Sequence, residues 1–250
     1  MPQRISKTGS ELLCGTVLPA LHRRGPYASV PAIRRALAQA GSRVQPATVN
    51  RYLSVLLKEG TVFDAGRGWY SFLKDPARLD PEPVAALVAE VKAAFPLARF
   101  AAWSTAQVNP WMHHLIGTPT AVLDVEKDAI ESAADRLEGS GWKVFLNPTG
   151  VAARRFAPGP KVVVLRVLHS MAPEVKDGLA SAEQALVELR LDAEELGLMA
   201  VAEFRAMATR LATEVRISIG ALLFYAEMRR LKPDDLFEES INLNFREMLG

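Results

Sequence analysis

The chain has 250 residues, of which 49% are hydrophobic and 23% charged, the proportions of an ordinary soluble globular protein, so a disordered or fibrous chain is excluded. The net charge of +2 conceals an asymmetry: residues 1–72 hold ten Lys/Arg against three acidic residues, a balance of +7, while the remainder holds 20 basic and 25 acidic residues, a balance of −5. A single cysteine, Cys14, rules out a disulfide within the chain, and its apolar helical setting predicts a small core residue. No stretch approaches the roughly 18 consecutive apolar residues of a membrane span. Ile217 to Ala226, the longest candidate, is too short, and MPQRISKTGS lacks the apolar run of a signal peptide. A cytoplasmic protein with no membrane partner is expected.

In chain order, Ser10 to Arg24 predicts a first helix with Leu12, Leu13, Val17, Leu18 and Leu21 inward, kinked or interrupted at Pro19. Ser29 resembles an N-cap, and Pro31 falls in the first turn of a second helix whose buried stripe holds Ile33 and Leu37. A third helix starts at Pro46, after Gln45. It places Val49, Leu53, Leu56 and Leu57 on its apolar stripe and ends at Gly60. Thr61-Val62-Phe63 and Trp69 to Phe72, joined by Gly66-Arg67-Gly68, read as a hairpin. Helix, turn, helix and hairpin together are the winged-helix arrangement, assigned here to residues 1–74.

LKDPARLDPEP, with three prolines, marks a linker. Beyond it, over 83–250, strands alternate with helices. We expect a helix from Pro83 to Phe95, strands at Arg99–Ser104, Ala121–Val125, Lys143–Leu146 and Lys161–Leu168, a short helix from Asn109 through Leu115, and another from Asp128 to Leu137. The β-branched run at Lys161–Leu168 is typical of a strand buried on both faces. Ser181–Leu196, Val201–Val215 and Ser218–Leu231 read as helices, broken at Lys232-Pro233-Asp234-Asp235, and Leu236–Leu249 as a short helix or partner-binding tail. The fold class expected is therefore α+β: an N-terminal winged helix-turn-helix, then a mixed α/β sheet domain with a C-terminal helical bundle.

The third helix turns Thr48, Asn50, Arg51 and Ser54 outward, with Gln45 and Thr48 near its N-terminus. Arg pairs bidentately with guanine, Asn with adenine, and Ser or Thr with either, while a helix N-terminus favours a phosphate. Arg34 and Arg35 on the preceding helix add cations for the phosphate backbone, and Arg67 at the hairpin turn offers a contact to the backbone or the minor groove. Gln45, Thr48, Asn50, Arg51, Ser54, Arg34, Arg35 and Arg67 are thus the candidate contacts to double-stranded DNA. The basic head on an acidic body is the electrostatic footprint of such a protein.

Two catalytic temptations are weaker. His113 and His114 are adjacent, so on a helix they point apart, and no Cys/His cluster accompanies them. Asp124, Glu126 and Lys127 resemble the charged set of a metal-dependent nuclease, but alternation separates Lys127 from the acids, and a charged strand end before a helix suffices to explain them. We expect no catalytic residues, no metal and no cofactor, and hence no enzyme. A nuclease-like body and a protein-interaction adaptor stand as the alternatives.

Several local segments resemble the AbiEi-type antitoxins, transcriptional regulators of type IV toxin–antitoxin (abortive infection) systems. Behind the winged helix, Phe100-Ala101-Ala102-Trp103-Ser104-Thr105 is similar to that family's Trp-containing strand. Val122 to Ala129 resembles its strand-to-helix step, Val144 to Pro148 its strand ending in Asn-Pro, and Glu183 to Leu189 its helix start. The resemblance implies a repressor that binds inverted repeats in its own promoter, as a monomer or a DNA-assembled dimer. It also implies an antitoxin activity in the C-terminal domain against a nucleotidyltransferase-type toxin, serving antiviral defence.

Overall fold

A computed structural model describes residues 9–239 and 241. These residues form an α+β protein with two sheets. The chain makes two compact units: the described residues within Met1–Ala77, Leu211–Ala221 and Phe237–Gly250 in one, Arg78–Arg210 with Leu222–Leu236 in the other.

In the first unit the opening helix continues across Pro19 instead of breaking there. α1 (Gly9–Leu12) passes into a π-helical turn, Leu13–Val17, and then into α2 (Leu18–His22). The wider turn lets Leu18 N–H reach back to Leu13 O and puts Pro19, which has no N–H to offer, in the first turn of α2. β1 (Tyr27–Ser29) follows, a short strand that no local pattern predicts. Ser29 then caps α3 (Val30–Gln39), its hydroxyl accepting from Ala32 N at 3.2 Å. α4 (Pro46–Lys58) starts on its proline and ends before Gly60, whose φ of +71° is the expected left-handed stop. β2 (Phe63–Asp64) and β3 (Trp69–Ser71) make the hairpin, with Gly66 and Gly68 at φ +90° and +80° in the turn. Both β1 and β2 pair antiparallel with β3, giving the order β1-β3-β2.

The core of this unit gathers Leu13, Val17, Leu18, Leu21, Ile33, Leu37, Val49, Leu53 and Leu56. Two expectations fail here. Leu57 is 38% exposed, because a 100° step beyond Leu56 carries it off the stripe. Cys14 is exposed, not buried, since the inward positions of its turn are taken by Leu13 and Val17. A thiol reagent should therefore modify the native protein stoichiometrically without denaturant, as mass spectrometry would read directly.

The stretch expected to be a linker is partly tied down within this unit. Ala77 N–H donates to Arg216 O at 2.7 Å and Arg216 N–H to Asp75 O at 2.8 Å. Tyr27 receives Ile217 N–H on its hydroxyl at 3.0 Å and donates to Val215 O at 3.3 Å. The Arg216 guanidinium lies 5.0 Å from the centroid of the Phe63 ring.

The second unit contains α5 (Ala85–Ala94), β4 (Phe100–Ser104), β5 (Ala121–Val125), α6 (Ile130–Gly139), β6 (Lys143–Leu146), α7 (Val151–Arg154), β7 (Val162–Val167) and α8 (Ala182–Glu195). α9 (Val201–Glu214) and α10 (Ile219–Met228) contribute residues to both units, and α11 (Pro233–Leu236) closes the series. The sheet order is β4-β5-β7-β6, with β4 antiparallel to β5 and the other pairs parallel, so the sheet is mixed as expected. Leu123, Val125, Val163 and Leu165 point to one face and pack with Leu87, Val88 and Val91 of α5 and Ala133 and Leu137 of α6. Strand alternation sends Asp124 and Arg166 to the opposite face, where α8 lies.

Local departures have local causes. The helix expected through Leu115 is a 3-10 turn, Thr105–Trp111, tightened by a capping box in which Ala106 N–H donates to Ser104 Oγ and Ser104 N–H to Gln107 Oε1. The break at 232–235 is itself the start of α11, capped by Lys232 N–H donating to Asp235 Oδ2 at 2.7 Å. The expected stretch Leu236–Leu249 lies largely outside the described residues. Among the described residues no helix is long and apolar enough to cross a membrane.

Candidate nucleic-acid interface and a buried charged cluster

α4 is built as an amphipathic helix and presents its polar face outward. Gln45 at the N-cap, Asn50, Arg51 and Ser54 are exposed and Thr48 is half-buried, while Val49, Leu53 and Leu56 are buried beneath them. Gln45 makes no side-chain cap, so its amide is not consumed by the helix end. Ser54 Oγ donates to Asn50 O at 2.9 Å, which leaves its oxygen as an acceptor. The Arg51 guanidinium sits 6.0 Å from the Tyr52 ring centroid and is exposed.

The two arginines of α3 go different ways. Arg34 Nη2 donates to Asn50 Oδ1 at 3.1 Å, joining α3 to the exposed face of α4. Arg35 instead lines a cavity of about 200 Å³ with Thr16, Ala20, Arg24, Ala36 and Gln39. Arg67 is exposed in the hairpin turn. The structure thus joins Arg34 to the α4 residues directly, and places Arg35 at the α2–α3 groove.

A second constellation has no counterpart in the sequence-based expectations. Asp124 on β5 is the register partner of Arg166 on β7, and both face α8. Gln184, Glu188 and Asp192 recur every fourth residue along α8 and are almost fully buried. Gln184 Nε2 donates to Asp124 Oδ2 at 2.9 Å. Arg166 bonds Asp192 and approaches Glu188 at 3.7 Å. Glu188 also takes the Tyr225 hydroxyl and Arg229 Nη2, the latter at 2.9 Å. The His169 ring meets Tyr225 edge-on at 5.7 Å.

Burial dominates the electrostatics of this cluster. It pushes the Asp124 carboxyl well above the usual range, and the neighbouring Glu188 and Asp192 charges push the same way against Arg166. Asp192 is raised to about 6 by burial, with Arg166 holding it down in part. Burial works against the Arg166 charge, but Asp192, Glu188 and Asp124 keep it firmly ionised. Tyr225 is raised by burial and by Glu188.

This arrangement ties α8 to the sheet and to α10. Among the described residues no group of three or more His, Cys, Asp or Glu is placed to hold a metal. Asp124 is buried against Gln184 whereas Lys127 is exposed on the turn after β5, and His113 and His114 are both exposed. The signal that could have exposed the cluster is the polar i, i+4, i+8 row in α8, facing the one arginine of an otherwise apolar strand.

These features define an α+β protein with a basic, polar helix face in one unit and a buried ion cluster in the other. The chain belongs to a family of unknown function, DUF6577, whose model matches residues 48–246. No curated protein matches. Among solved structures it is similar to the crystal structure of RV2827C protein from Mycobacterium tuberculosis, at 13% identity over 99% of this chain and 83% of that one, with a TM-score of 0.25.

Proposed function

We propose that the protein is a DNA-binding transcriptional repressor that controls its own operon. In this reading the first unit is a winged helix-turn-helix: α3 and α4 are the helix pair, α4 enters the major groove, and the β2–β3 hairpin is the wing. The observation that supports it best is the exposed row Gln45, Asn50, Arg51 and Ser54 on a helix whose other side is core, in a segment of charge +7. Affinity comes mainly from Lys and Arg on phosphates, and selectivity from α4.

The second unit and the helices after β7, read as a C-terminal bundle, carry the other activity. On the resemblance to AbiEi-type antitoxins, that activity is the neutralisation of a nucleotidyltransferase-type toxin in a type IV system, in the cytoplasm and without enzymatic chemistry of its own. Co-expression with such a toxin should restore growth if the reading is right; unrelieved toxicity would remove the antitoxin half while leaving the DNA half standing.

The DNA half is tested at Arg51. Arg51→Ala should weaken binding to the upstream inverted repeats by about 1–3 kcal/mol and relax base preference at one position. Unchanged affinity in a titration of the labelled repeat would take Arg51 out of that role.

A further inference from the structure

We infer that the segment Val215–Gly220 is the strap that positions the hairpin turn for the duplex, with Gly220 the positioning residue. The inference rests on the DNA-binding reading for its functional meaning, but its geometry stands apart from it. The turn is not a free tip. Gly220 N–H donates to Ala65 O at 3.0 Å, and a Cβ on Gly220 would lie 2.8 Å from Arg67 N, 3.0 Å from Gly66 C and 3.2 Å from Arg67 O. All three are backbone atoms, which cannot swing aside as a side-chain tip can. From the other side, a Cβ on Gly66 would meet Ser218 Oγ at 2.4 Å and Gly220 at 3.1 Å, and Gly66 already needs φ +90°. Two backbones therefore cross at van der Waals contact, and glycine is required on each.

The strap is itself anchored at its start. The Tyr27 hydroxyl bonds Ile217 N–H and Val215 O, Arg216 exchanges backbone bonds with Asp75 and Ala77, and its guanidinium stacks on Phe63 of the hairpin. A segment some 140 residues downstream in the chain thus completes the N-terminal unit and fixes the height of Arg67. Gly220 is the useful probe because two effects oppose there. It lies in the first turn of α10 with no positive φ, so alanine suits the helix better than glycine. Only the crossing backbone opposes the change.

The test uses the full chain carrying Gly220→Ala, read by amide hydrogen exchange and by titration of the labelled upstream duplex over a salt series. The Ala65 and Trp69 amides, which bond within the turn at 3.2 and 2.9 Å, should exchange at least about tenfold faster while those of α3 stay protected. The slope of log affinity against log salt should fall by about one, as it should in Arg67→Ala, where the exchange is unaltered. Turn amides as protected as in the parent would overturn the inference. If the α3 amides are lost as well, Tyr27→Phe loosens the strap without adding bulk, and the same two amides must then speed up or the inference falls. A parent protein that binds no duplex defeats the DNA-binding reading alone, since the exchange result decides the strap independently.

Discussion

Arg166→Met should lower the free energy of unfolding by about 3–5 kcal/mol, measured by chemical denaturation. Among the described residues Arg166 is the only cation bonded to Asp192, which is 1% exposed, and it also approaches Glu188. Methionine fills the space but leaves a buried carboxylate without its partner. The loss comes from the abandoned partner more than from the bond itself, because the desolvation of Asp192 is no longer offset. Arg166→Met with Asp192→Leu should therefore cost clearly less than the two single changes summed, and the double-mutant cycle reads that coupling. A loss under about 1 kcal/mol for Arg166→Met would mean the cluster is not an energetic centre of its unit.

The second large effect is on pH. The folded-state pKa of Asp192, about 6, lies above its ordinary 3.8, so the folded chain holds this proton more tightly than the unfolded one. The stabilisation is therefore fully present below about pH 3.8 and is lost as pH rises through about 6. A gap of that size between the folded and unfolded pKa corresponds to about 3 kcal/mol. Asp124, raised by burial and by the acids of α8, adds to the same trend. The groups facing Asp192 are Arg166 from β7 and, on its own helix, Glu188, which carries Tyr225 from α10 and Arg229 just after that helix. Unfolding between pH 4 and 7.5 should show Asp192→Asn with a flatter profile than the parent, the parent gaining relative stability toward acid. Parallel profiles would show that Asp192 does not titrate with folding.

Local rules make much of this fold legible. The cap at Ser29, the proline start of α4, the left-handed Gly60 and the glycine turn at 66–68 depend on neighbours a few residues away, and each lies where the pattern puts it. The strands β5, β6 and β7 are equally visible: β7 is a β-branched run, and β5 and β6 are short, largely apolar stretches rich in strand-forming residues. What local pattern cannot supply is the long-range pairing. β1 is three residues long and is a strand only because β3 comes back to it. The strap at 215–220 completes a unit otherwise made largely of residues before 78.

The same limit governs the candidate sites. The exposed row on α4 follows from helical period alone, so Gln45, Asn50, Arg51 and Ser54 can be picked out without a structure. That Arg34 turns toward Asn50 and Arg35 toward the α2–α3 groove depends on which helix packs on which side of α3. Asp124 reads as a charge at a strand end because its partners lie 42, 60, 64 and 68 residues further along; register across β5 and β7 is what brings Arg166 beside it.

The central claim is tested most directly by a binding titration of the 250-residue chain with the duplex from upstream of its own gene, run at a low and a moderate salt concentration. Binding at low salt that weakens steeply and linearly in log–log form as salt rises is the result predicted for the basic N-terminal unit. No binding to that duplex at the lower salt would contradict it.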